Sequence, residues 1–227
     1  MGTWDGQFVA LDAKTGKPVW KRQVGDYEAG ETFTSPPLIV KNKAILGMQA
    51  IEMPNRAHVN AYSVDTGELL WRFYSVPVPG EPGNETWGPG DAWKVGCGSA
   101  WLPGTYDPEL NLFYIGIDNP CPMFDGEDRP GDNLYTSSIV ALDPDTGKMG
   151  WYFQVNPHDL WDYGAATEPV LVDLQVKGAP VKALLQANKN GYFYAFDRTN
   201  GRLLYAKPSV SRINSTKGLD EKGRPIP

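Results

Sequence analysis

One motif recurs four times along the chain and limits its fold more than any other feature. It runs Ala, an apolar residue, Asp or Ser, two variable residues, Thr-Gly or Asn-Gly, three further residues and a large aromatic ring. It occupies 10–20, 61–71, 141–151 and 195–205. The copies end on Trp20, Trp71, Trp151 and Tyr205, and their glycines, Gly16, Gly67, Gly147 and Gly201, are spaced by 51, 80 and 54 residues. A weaker stretch, Tyr106-Asp107-Pro108-Glu109-Leu110-Asn111-Leu112-Phe113-Tyr114, falls inside the longest gap. Counting it as a unit gives five units of about 45 residues, the size of a four-stranded propeller blade.

Each copy predicts a hairpin. Phe8-Val9-Ala10-Leu11, Val59-Asn60-Ala61-Tyr62, Ile139-Val140-Ala141-Leu142 and Tyr192-Phe193-Tyr194-Ala195 have the apolar and aromatic content of strands. The Asp-x-x-Thr-Gly that follows reads as a tight turn, with Asp accepting from backbone N–H groups and Gly free to take positive φ. The ring in the next strand is placed to wedge between neighbouring sheets and, where it is Trp, to offer its N–H as a donor. A β-sandwich with similar hairpins is the competing architecture, and four near-copies weigh against it. With 25 Gly and 20 Pro among 227 residues, helix breakers recur too often for a helical bundle. The expectation is an all-β chain, residues 1–227 forming a single truncated β-propeller domain of about five blades. Met1 stands only a few residues before a repeat strand, and the polar stretch 209–227 holds no closing strand.

Charge and cysteine content remove other classes. A net charge of −6 without a run of Lys or Arg argues against a nucleic-acid or acidic-membrane surface. No apolar stretch is long enough to span a bilayer. The first residues, Met1-Gly2-Thr3-Trp4-Asp5, have neither the charged nor the apolar region of a signal peptide. Cys97 and Cys121 match no zinc or haem-attachment spacing; they read either as one disulfide or as two buried thiols. His58 and His158 cluster with no other ligands and read as structural. The Pro- and Gly-rich stretch 77–90 reads as a long surface loop. The sequons at Asn84 and Asn214 read as chance matches.

Between the repeats lie segments that resemble the quinoprotein alcohol dehydrogenases, which use pyrroloquinoline quinone (PQQ). They are Gly96-Cys97-Gly98-Ser99-Ala100-Trp101, the stretch from Tyr106 to Asn119, Arg129-Pro130-Gly131-Asp132-Asn133, Asn156-Pro157-His158-Asp159-Leu160-Trp161-Asp162-Tyr163 and Ala187-Asn188-Lys189-Asn190-Gly191. The resemblance covers essentially the whole chain and implies an eight-bladed propeller with tryptophan-docking repeats, of which this chain supplies a part. It implies oxidation of a primary alcohol to an aldehyde. Glu52 and Asn119 fall on the family's metal ligands, and Asp162 on its proposed catalytic base. Trp101 falls on the indole stacked against the quinone, and Thr34, Ser99 and Lys189 on residues that hydrogen-bond the cofactor. The metal it implies is calcium, because members that use a lanthanide carry an extra Asp two residues after the base, where this chain has Gly164. It further implies a periplasmic protein that passes electrons to a cytochrome c or similar acceptor.

The chemistry agrees with those residue types. A hard cation takes oxygen ligands from a carboxylate and an amide, acts as a Lewis acid, and leaves a second carboxylate to remove the alcohol proton. Taken singly, each residue has a plainer reading. Glu52 is a solvated carboxylate, Asn119 an Asx-turn residue, Asp162 a turn cap, Trp101 core packing and Lys189 an exposed hairpin residue. Their occurrence together and in family order favours the site. Departures from the pattern are Gln49 for a small hydroxyl residue and Met53-Pro54-Asn55-Arg56-Ala57 after the metal-binding Glu. A vicinal Cys pair and an Arg near the cofactor belong upstream of Met1. Two alternatives remain: a non-catalytic propeller scaffold of the outer-membrane assembly type, and a quinoprotein acting on a sugar or polyol.

Overall fold

The computed structural model describes residues 1–50, 53–176 and 178–226. Its strands are β1 (Gln7–Leu11), β2 (Pro18–Gln23), β3 (Leu38–Val40), β4 (Lys43–Gly47), β5 (His58–Ser63), β6 (Leu69–Tyr74) and β7 (Thr105–Asp107). They continue as β8 (Leu112–Gly116), β9 (Ser138–Leu142), β10 (Met149–Gln154), β11 (Val170–Val176), β12 (Ala179–Ala187), β13 (Tyr192–Asp197) and β14 (Arg202–Pro208). The strands form antiparallel sheets: the hairpin β1-β2, then the four-stranded sheets β3-β4-β5-β6, β7-β8-β9-β10 and β11-β12-β13-β14. The all-β, repeat-built expectation holds, but among the described residues the count is three complete blades and one hairpin rather than five. The weak copy 106–114 is the β7-β8 hairpin, the first half of the blade that β9 and β10 complete. The 80-residue interval is long because extended connections lie at 75–104 and 117–137.

The full motif marks the third and fourth strands of each sheet. Asp12 Oδ1 accepts from the backbone N–H of Thr15 at 2.7 Å, and Asp143 Oδ1 from that of Asp145 at 2.7 Å. Gly16, Gly67, Gly147 and Gly201 all have φ near +70°, the left-handed region that only glycine enters freely. The third strands sit between neighbours and are buried throughout in β5 up to its last residue and in β9 completely. The fourth strands are outer edges, so β6 buries only Trp71 fully.

Adjacent sheets meet through the aromatic rings. Trp20 Nε1 donates to Val64 O at 2.8 Å, Trp71 Nε1 to Pro144 O at 2.9 Å and Trp151 Nε1 to Arg198 O at 3.1 Å. Each acceptor lies in the tight turn of the following repeat. The glycine of that turn lies on the indole face: a Cβ on Gly67, Gly147 or Gly201 would come within 2.7, 2.6 and 2.5 Å of the Trp20, Trp71 and Trp151 rings. Three buried clusters fill the seams. Trp71, Val59 and Ile45 pack with Phe113, Ile115 and Val140; Tyr114, Ile139 and Trp151 pack with Leu184, Tyr194 and Phe196; Phe8 packs with Leu46 and Tyr62. Burying one such indole removes on the order of 200 Å² from water, about 5 kcal/mol before ordering costs. The last seam adds a buried ion pair, Arg198 Nε to Asp107 at 2.6 Å.

Topology then decides where chemistry can sit. In an antiparallel four-stranded sheet, connections alternate between the two ends of the strands. The third-to-fourth turns, which carry the docking glycines, lie at one end. The second-to-third connections and the crossings from one blade to the next lie at the other.

Candidate functional site

That second end holds a cavity of about 220 Å³ lined by Gln49, Cys97, Ser99, Trp101, Asp118, Asn119, Cys121, Met123, Asp162 and Lys189. Its floor is irregular but hydrogen-bonded. The backbone of 96–100 is held on one side by residues 48–57, with Ala100 N donating to Met48 O and Ala57 N to Cys97 O, both at 2.9 Å. On the other side Asp118 N donates to Ser99 O at 2.8 Å and Gly98 N to Asn119 O at 3.2 Å. Cys97 and Cys121 are joined in a disulfide with Cα atoms 5.3 Å apart, so the first of the two readings open at the sequence level holds. The bridge ties the Trp101 segment to the Asn119 segment across this floor.

The side chains expected from sequence converge on the cavity, with one at its margin and one not described. Trp101 Nε1 donates to Asp118 Oδ2 at 2.6 Å, which fixes the plane of the indole. Ser99 is buried, and its hydroxyl accepts from Ala50 N at 2.9 Å. Asn119 is 7% exposed; its Nδ2 donates to Pro120 O at 3.0 Å, and among the described residues no donor reaches Oδ1. Lys189, in the β12-β13 turn, donates to Asp162 Oδ1 at 2.9 Å and approaches Asp118 Oδ1 at 3.5 Å. Partial burial pulls the Lys189 ammonium down, but the charges of Asp118 and Asp162 outweigh it and hold it above the ordinary lysine range. Thr34 is exposed and reaches the cavity indirectly, donating to Gln49 Oε1 at 2.6 Å. Glu52 lies outside the described residues.

Asp162 is held by a scaffold the motif search did not weigh. Its own φ is +61°, an uncommon conformation for a residue with a side chain. The buried carboxylate of Asp159 imposes it, accepting from the backbone N–H of Trp161 at 2.9 Å and of Tyr163 at 2.8 Å. Burial pushes the Asp159 carboxyl up, against those hydrogen bonds. Arg129, wholly buried, donates to Pro122 O at 2.9 Å and Asp159 O at 2.7 Å, joining the Asn119 and Asp162 segments. Its signal was present in the segment 129–133, but nothing in the sequence says what an isolated Arg will reach.

Asp118 is the other residue that sequence reading passed over. It binds Trp101, faces Lys189 and lines the cavity beside Asn119. Both expected structural histidines satisfy that reading: His58 lies inside the fold against Asn60, and His158 binds Gly131 O at 2.8 Å.

The profile of the PQQ glucose/ethanol/alcohol dehydrogenase β-propeller domain matches residues 1–209. The chain belongs to that family. Quinohemoprotein alcohol dehydrogenase ADH IIB of Pseudomonas putida is 43% identical over 100% of this chain and 34% of its own length. Methanol dehydrogenase [cytochrome c] subunit 1 of Methylorubrum extorquens is 38% identical over 98% of this chain and 38% of its own. The solved structure of a europium-containing methanol dehydrogenase superposes with a TM-score of 0.92 at 40% identity, covering 100% of this chain and 42% of that one. The chain thus spans between a third and about two fifths of its relatives' length. Its sheets match part of this quinoprotein propeller, and no helix among the described residues is long and apolar enough to cross a membrane.

The donor chemistry suits the group this family uses. A flat indole held in one plane, an amide oxygen lining the cavity, a hydroxyl and an ammonium match a flat quinone that carries carboxylates and a hard cation. Among the described residues no three His, Cys, Asp or Glu side chains gather as a metal cage.

Proposed function

We propose that the chain is the cofactor-bearing sector of a periplasmic, PQQ- and metal-dependent dehydrogenase that oxidises primary alcohols to aldehydes. Residues 1–227 form one stretch of its propeller, and electrons leave for a cytochrome c or similar acceptor. The observation that carries this reading is the convergence of Ser99, Trp101, Asn119, Asp162 and Lys189 on one cavity from three separate connections and a hairpin turn. When bound, PQQ supplies the hydride acceptor and a hard cation the Lewis acid, with Ca²⁺ the ion expected from Gly164.

The chain's own residues do the rest. Trp101 offers one face of its indole to the quinone, and Asp118 prevents the ring from turning. Ser99 and Lys189 hydrogen-bond the polar rim of the cofactor, with Thr34 acting at the margin through Gln49. Asn119 Oδ1 and Glu52 hold the cation. Asp162 accepts the substrate hydroxyl proton, and Lys189 steadies its carboxylate at 2.9 Å until substrate arrives. A scaffold without catalysis has no use for this set. Sugars and polyols stay as the second substrate class because the matching family description includes glucose dehydrogenases.

The full-length protein reconstituted with PQQ and Ca²⁺ should reduce an artificial dye only when alcohol is present. Asp162→Asn should lower kcat by roughly 10²- to 10⁴-fold, the usual share of a general base, while PQQ binding persists. A folded protein that takes up no PQQ would sink the proposal.

A further inference from the structure

The expectation of calcium rests on one position, Gly164, which lacks the extra carboxylate of lanthanide-using relatives. The structure shows why a side chain is missing there and what has replaced it. A Cβ on Gly164 would overlap Asp118 Oδ1 and come within 2.7 Å of Asn119 N. The backbone of 118–119, with Asp118 Cα and Asn119 N both at 2.7 Å, by itself keeps position 164 bare, and the Asp118 carboxylate lies where a side chain from 164 would begin. Asp118 reaches the spot from the end of the β8 connection, one residue before Asn119, and is 7% exposed. Its Oδ2 is engaged by Trp101 at 2.6 Å, whereas among the described residues its Oδ1 meets Lys189 at 3.5 Å, outside good hydrogen-bond range. One oxygen is therefore oriented by the indole and the other is not, in a side chain that lines the cavity together with Asn119.

We propose that Asp118 is a metal-selectivity residue, supplying from the β8-β9 connection the carboxylate that lanthanide-using relatives place two residues after the base. This rests on the metal-dependent reading above and changes the ion expected from it. Coulomb attraction scales with the product of charges, so one added carboxylate favours a trivalent ion about half again as strongly as a divalent one at equal distance. The preference of the site moves from Ca²⁺ towards a lanthanide. With this backbone position 164 admits no side chain, so a carboxylate at this spot comes from position 118.

Terbium(III) titration of the metal-stripped, PQQ-loaded full-length protein tests this without any turnover. Indole-sensitised terbium emission reports occupancy, with Trp101 at the site, and Ca²⁺ competition gives the affinity ratio. Asp118→Asn keeps an acceptor for the Trp101 N–H and should lower the terbium-to-calcium ratio by roughly 10- to 100-fold, the range for disturbing groups that tune a metal site. Asp118→Gly should do the same. An unchanged ratio in both Asp118 variants overturns the inference and leaves Asp118 as an anchor for Trp101. If the wild type binds neither ion, the metal-dependent reading falls, and this one with it.

Discussion

The two ends of the strands are built by different rules. At the docking end, the turns at Gly67, Gly147 and Gly201 repeat one design: a polar cap, a left-handed glycine and an indole from the preceding unit lying across it. At the cavity end no two connections are alike, and the backbone is bent by particular side chains. Five non-glycine residues with positive φ lie there, namely Cys97, Asn133, Ser137, His158 and Asp162. The docking end can be regular because each seam solves the same packing problem. The cavity end cannot, since it must present a different group from each connection to one ligand. Stability resides mainly in the repeats and chemistry in the departures from them.

That contrast can be broken most strongly at the seams. Gly147→Ala places a methyl group against the Trp71 ring and forces φ of +72° on a residue with a side chain. It should cost roughly 3–4 kcal/mol, strain and overpacking combined, in urea unfolding of the full-length protein. Gly16→Ala shares the conformation, with φ of +69°, but meets nothing within 4 Å. It should cost only about 1 kcal/mol, and equal costs would show that the indole contact contributes nothing.

The cavity end has its own fastener. Replacing Cys97 and Cys121 by Ser opens a link between positions 24 residues apart and should cost about 3 kcal/mol by the chain-entropy argument. Unlike the seam variant, it should also weaken PQQ binding, because it frees the Trp101 segment from the Asn119 segment. Calorimetric titration of PQQ into each variant checks the difference.

The last effect is one of pH, and at neutral pH it is the smallest. Burial, reinforced by Arg72 and Arg56, pushes the His58 imidazole down to about 3, so it stays neutral in the fold while the unfolded chain takes up a proton below about pH 6.5. Stability should therefore fall as pH drops from about 6.5 towards 3, by at most about 1.4 kcal/mol per unit from this group. His58→Gln should flatten that part of the stability–pH curve, and an unchanged slope would show that His58 does not contribute.

The division between the ends also explains what the sequence made legible. Trp20, Trp71 and Trp151 announce their seams because the ring, the glycine and their separation are all needed by local geometry. The blade count was overstated because β7-β8 lacks that pairing, and its half-copy looks like a unit until strand partners are known. Asn119, Asp162 and Lys189 are singled out by family order and near-family spacing, not by any local pattern. Asp118 escaped because what packs against it, the bare Gly164, lies some 46 positions later in the sequence. The same holds for Arg129, whose partners at Pro122 and Asp159 share no pattern with it.

The indole bonds also have a direction. Each Trp-bearing unit gives a hydrogen from its ring to the turn of the unit after it, so the units join head to tail, like monomers of a polar polymer. Such a link specifies what comes next without specifying how many there are. A unit with both a ring and a turn can be inserted or removed and still leave every other joint complete. The size of the ring is therefore a property of blade splay and total chain length, and no single seam encodes it.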